Sequence, residues 1–153
     1  MDTRGWKRMA QSIKAELHSG EIEIDSRISS LVRTINSFPD FCTIASYCPN
    51  EERNYFLVVF SVMPHNQGWN TFTTLIQSIY AYNNNDDSIM VSPNSFPGGH
   101  LYFYLSFEDE ESDELALWIR KWFTSNDIKD AWKEQFYETK GKSKSNSNED
   151  SSN

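Results

Sequence analysis

The chain has 153 residues, enough for one domain with a modest core. Its composition is 38% hydrophobic and 14% aromatic, so ten Phe, seven Tyr and five Trp supply much of the buried area that aliphatic side chains would otherwise provide. The net charge of −8, with scattered bases and clustered acids, argues against a nucleic-acid binder or an anionic-membrane binder, while the absence of a long apolar run or an apolar leader at the N-terminus argues against a membrane span and a signal peptide and points to the cytoplasm.

Trp6, Met9, Ile13 and Leu17 fall near helical spacing and predict a first helix over 6–17, stopped by Gly20. Ile28, Leu31, Val32 and Ile35 form one apolar stripe, which predicts a second helix capped by Asp25 and closed by Asn36 and Pro39. "FCTIASYC", 41–48, and "YFLVVFSVM", 55–63, read as strands joined by the polar "CPNEERN". The near-continuous apolar run of the second marks a central strand covered on both faces.

"MPHNQGWN" reads as a loop, and a third helix then places Phe72, Leu75, Ile76, Ile79 and Tyr80 on one stripe, ended by "NNNDD". "SIMVS", 88–92, is a short strand, "PNSFPGGH", 93–100, a loop, and "LYFYLSF", 101–107, an alternating strand. A fourth helix starts near Ser112 and buries Leu115, Trp118, Ile119 and Trp122. A fifth follows Asn126 or Asp127 with Ile128, Ala131, Trp132 and Phe136. The order α-α-β-β-α-β-β-α-α predicts an α+β fold, with about four mostly antiparallel strands and helices packed on the sheet. The expected domain covers 1–140, and the polar stretch 141–153 has too few apolar residues to order itself.

Both cysteines lie in "FCTIASYC". Six residues of extended chain span about 20 Å, too far for a disulfide. The C-x5-C spacing, with no accompanying C-x-x-C or H-x3-H, does not make a metal site, and none is expected. Cys42 reads as a core thiol. Cys48, at the strand end, is the candidate for a functional one, and nucleophilic chemistry there needs His65 or His100 beside it. No G-x-S-x-G elbow, Walker loop or G-x-G-x-x-G is present, so no cofactor is expected. The two glycines of "SFPGGH" serve either a close backbone approach to a ligand or a turn that needs positive φ.

Tyr102 and Tyr104 share the strand face opposite Leu101, Phe103, Leu105 and Phe107. Without a helix over that face they form a partner surface, and with one they are core. In "EDEESDE", 108–114, six of seven residues are acidic, which suits a helix N-terminus and a basic protein partner.

In "IDSRISSLVRTINSFPDFCTIASYC", Asp25, Ile28, Leu31, Ile35 and Asn36 fit the helix pattern D-x-x-I-x-x-L-x-x-x-I-N, and Thr43 and Ser46 fit a strand ending in T-x-S-S-C-x-G. On these residues the segment 24–48 resembles the opening motif of the tRNA wybutosine-synthesising methyltransferase family and its shorter relatives. Tyr47 stands where that family has its cysteine, and Cys48 follows one position later, a shift that turns a side chain to the other strand face. The resemblance implies an S-adenosylmethionine-dependent tRNA-modifying enzyme or a degenerate relative of one.

The residues themselves favour a binding module over an enzyme. The expected site uses the loops Cys48 to Arg53, Pro64 to Trp69 and Phe96 to His100, with Thr43, Ser46, Cys48, His65, Trp69 and His100 as binding residues. Tyr102, Tyr104, Glu108, Asp109, Glu110 and Glu111 form the expected surface for a basic protein, in the manner of a phage-type or accessory protein that occludes a basic host surface.

Overall fold

Asp2 begins the first helix, α1 (Thr3–Ser19), by accepting a 2.7 Å hydrogen bond from the Gly5 N–H on its carboxylate. Gly20 ends it at φ 79°, the left-handed conformation that relieves a helix C-terminus. Residues 2–84, 88–95, 101–126, 129–130 and 134 are described by the computed structural model. The chain divides into two compact units, Met1–Ile119 and Arg120–Asn153, and the sheet and all sites discussed below belong to the first.

The second helix, α2 (Ser29–Asn36), starts four residues after Asp25, with Ile28 at the cap position and no side-chain cap. Asp25 is therefore not the cap. Its carboxylate accepts from the Arg27 N–H at 3.0 Å and pairs with the Arg27 guanidinium at 2.8 Å, which engages it with the turn before the helix. The apolar stripe is as expected: Ile28, Leu31, Val32 and Ile35 are all buried.

Four antiparallel strands, β1 (Phe41–Tyr47), β2 (Phe56–Val62), β3 (Ile89–Ser95) and β4 (Leu101–Phe107), form a sheet in the order β1-β2-β4-β3 among the described residues. This is the expected α+β arrangement, with every residue of β2 buried. The ladder slips between Thr43 and Ala45, leaving Ile44 in a bulge. β3 runs through Pro93, which the sequence reading put in a loop. As an edge strand, β3 tolerates a residue that donates no ladder hydrogen bond.

The third helix, α3 (Asn66–Asn83), begins inside the stretch read as a loop. His65 caps it, its Nδ1 accepting from the Gln67 N–H at 3.3 Å. Gly68 permits the early start, because a Cβ there would run into the Met63 carbonyl oxygen. Leu75 and Ile79 are buried, whereas Tyr80, expected on the same stripe, is 53% exposed. The fourth helix, α4 (Ser112–Thr124), starts where expected, with Asp113 and Glu114 in its first turn. Leu115 and Ile119 are fully buried, and the Trp118 indole donates to the Ser78 carbonyl at 2.8 Å. In the second unit, Thr124 Oγ1 donates to the Arg120 carbonyl at 2.8 Å. The expected fifth helix, with Ile128, Ala131, Trp132 and Phe136, and the stretch 141–153 lie outside the described residues.

The sheet has two distinct faces. One carries Phe41, Phe60, Phe103 and Phe107. The rings of Phe60 and Phe103 stand 5.8 Å apart, and Phe72 of α3 packs 4.2 Å from Phe103. The other carries Cys42 and Ser61 at one end, where α1 lays Trp6, Met9, Ala10 and Ile13 against Cys42 and Met63. The buried Trp6 indole donates to Ser61 Oγ at 3.0 Å. Asp40, buried just before β1, accepts from Thr71 Oγ1 at 2.6 Å and so ties the strand to α3.

Candidate functional site

β1 carries its two cysteines to opposite ends of the strand, and both are free thiols. Cys42 is fully buried, and burial pushes its thiol up to about 11. Cys48 is half-buried beside Asp25 and Arg27. Burial raises its thiol, the Asp25 carboxylate raises it further, and the Arg27 guanidinium acts in the opposite direction. A thiol held in its protonated form is a poor nucleophile. The Asp25 carboxylate itself is held well below the usual range, first by the hydrogen bond from the Arg27 side chain and then by the Arg27 N–H.

Thr43 is buried and engaged in structure: the Asn36 Nδ2 donates to its Oγ1 at 2.6 Å, and its N–H donates to Asn36 Oδ1 at 2.9 Å. Ser46 is half-buried opposite Val58. Of the residues that carried the family resemblance, Asn36 and Thr43 meet directly and tie α2 to β1, while Asp25 lies beside Cys48 just past the strand end.

His65 follows β2 whereas Cys48 precedes it, so the length of that strand separates them. The loops Cys48 to Arg53 and Pro64 to Trp69, expected to share one site, therefore stand at opposite sheet ends. His65 is occupied as the α3 cap, and Trp69 packs edge-on against Phe72 and Phe103 at about 6 Å. His100 and the stretch 96–100 lie outside the described residues. Among the described residues no group of three or more His, Cys, Asp or Glu is placed to hold a metal ion.

Of the two tyrosines on β4, Tyr102 is buried with Leu57 and Val59, and Tyr104 is half-buried against the same cluster. Exposed aromatics lie elsewhere, Trp69 and Tyr80 on α3 and Tyr47 and Tyr55 at the turn between β1 and β2. Asn50 builds that turn: its side-chain oxygen accepts from the Glu52 and Arg53 N–H groups, both at 2.9 Å. Arg53 is thereby brought back over the rings of Tyr47, 4.5 Å away, and Tyr55, 5.6 Å away. Sequence reading placed the loop Cys48 to Arg53 in the expected site but did not single out Tyr47 and Tyr55, although "YCPNEERNY" sets two aromatics and an arginine around a single turn.

The acidic segment divides by function. Glu111 accepts from the Tyr82 hydroxyl at 2.7 Å, which together with burial raises that phenol. Glu110 faces Arg27 across a small cleft. Glu108 and Asp109 remain exposed. With Tyr55, Met90 and Ser106 they line a shallow cavity of about 480 Å³, with Met90 58% exposed on its rim. This arrangement joins carboxylates, an aromatic ring and a flexible thioether, which suits cationic side chains with apolar stems.

No family model, curated protein or solved structure matches the chain. No helix among the described residues is long and apolar enough to cross a membrane.

Proposed function

We propose that this chain is a small interaction module that engages a basic protein partner, acting as an accessory or phage-type protein does when it covers a basic surface. The observation that carries the reading is the cavity where Glu108 and Asp109 adjoin Tyr55 and Met90. Carboxylates speed encounter with a cationic partner, and apolar and aromatic area adds affinity that does not screen with salt. The stacking of Arg53 on Tyr47 and Tyr55 supports it, since that surface already accommodates a guanidinium.

A fluorescent peptide alternating arginine and leucine tests this, read by anisotropy at low and high salt. Saturable binding that weakens with salt, and falls about tenfold or more in the Glu108→Lys/Asp109→Lys double variant, is the expected result. Binding that ignores the charge reversal would end the proposal. The same samples titrated with S-adenosylmethionine and tRNA test the methyltransferase reading, and no tRNA binding is expected because the acidic surface repels the polyanion. Saturable binding of both would replace this reading with the methyltransferase one.

A further inference from the structure

A second concave surface lies away from the acidic one, between the C-terminal half of α1 and α2. Its volume is about 1110 Å³, just above the roughly 300–1,000 Å³ typical of small-molecule sites. Its lining inverts the charge of the molecule. In a chain with 22 acidic and 14 basic residues, this groove sets Lys14 and Arg33, with the His18 imidazole on the same lining, against a single carboxylate, Glu23. Leu17, Ile22 and Ile24 line it too, and Ile22 is left 44% exposed on the irregular segment that follows Gly20.

A cation near a helix C-terminus complements the helix dipole, and Arg33 occupies the last turn of α2. That accounts for its position along the helix, but not for the apolar side chains that share the groove. Nor does it account for Lys14, which sits mid-helix and half-buried. Its ammonium donates to the Phe38 carbonyl at 2.8 Å and makes no ion pair among the described residues; the buried Asp40 carboxylate lies near enough to attract it without bonding to it, so donors are left for an incoming group. An anionic head at Lys14 and Arg33 would gain charge-assisted hydrogen bonds, and an aliphatic tail along Leu17, Ile22 and Ile24 would cover their exposed area.

We propose that the groove between α1 and α2 binds a small amphipathic anion, an aliphatic chain ending in a carboxylate. The site is separate from the acidic cavity and does not depend on it. The test is calorimetric titration of the full chain with octanoate and, as the uncharged control, octanol, with amide shifts followed by NMR. Octanoate should bind saturably and shift Leu17, Ile22 and Ile24, octanol should bind about tenfold or more weakly, and Arg33→Ala or Lys14→Gln should weaken octanoate about tenfold while leaving octanol unchanged. Equal affinity for the two probes, shifts scattered elsewhere, or full octanoate affinity in Arg33→Ala would overturn the proposal. Arg33 is exposed, so that variant carries the test even if Lys14→Gln unfolds.

Discussion

On one face of the sheet Phe41, Phe60 and Phe103 form a chain of ring contacts that α3 extends with Phe72, while on the other face Cys42, Ser61, Tyr102 and Leu57 occupy the alternate positions. The first face is mostly apolar and buried, although Leu101, expected in its buried row, is 43% exposed at the start of β4. Phe60 alone meets three other rings, at 5.6, 5.8 and 6.3 Å. The second face is graded. It begins dry under Trp6, passes through half-buried Ala45 and Tyr104, and ends at exposed Tyr47 and Met90. Cohesion is concentrated where side chains are large and redundant, which leaves the open end of the other face free to carry charge and aromatic surface.

Four experiments press on that contrast. Phe60→Ala should cost the most, about 3–5 kcal/mol in denaturant unfolding, because the void opens among rings that cannot collapse into it. A loss below about 1 kcal/mol would mean the phenylalanine face is not the cohesive one.

The next effect is pH-linked and belongs to the second face. Cys42 titrates near 9.0 when solvated and is pushed up to about 11 in the fold. Below pH 9 both states hold the proton and the thiol contributes no slope. Between pH 9 and 11 the unfolded chain releases a proton that the folded chain keeps, so stability falls by roughly 2 kcal/mol. Tyr82 works in the same direction, and Lys14, lowered chiefly by burial, works in the reverse one. The comparison to make is therefore the slope of wild type against Cys42→Ala. Identical slopes would show that the thiol is not dry.

Trp6→Phe should cost about 1–2 kcal/mol, mostly from the Ser61 hydroxyl left without its donor, and adding Ser61→Ala should recover part of that. If the double variant recovers nothing, α1 is held by packing alone. Charge reversal at Glu108 and Asp109 should change stability least, within about 0.5 kcal/mol, since both side chains are exposed. A large loss there would tie the acidic turn to the core and weaken its assignment as a binding surface.

Strand order along the chain, the buried stripe of α2 and the start of α4 were legible because each rests on local sequence pattern. Three features were not. The α3 start was hidden because His65 is an uncommon cap and Gly68 reads as a loop residue until its contact with Met63 is known. Pro93 reads as a strand breaker unless the strand is known to lie at an edge. The candidate site was legible only in part. Glu108 and Asp109 were visible as a charge run, but Tyr55 and Met90 reach them from other strands, and sequence spacing does not encode such proximity. Likewise the distance between Cys48 and His65 depends on which ends of β2 their loops join.

The Ile44 bulge and Pro93 sit on β1 and β3, the two outermost strands of the sheet. An incoming strand would meet a dislocated hydrogen-bond ladder along one border and a missing N–H along the other. Among the described residues, both outer strands therefore disfavour growth of the sheet by templated addition.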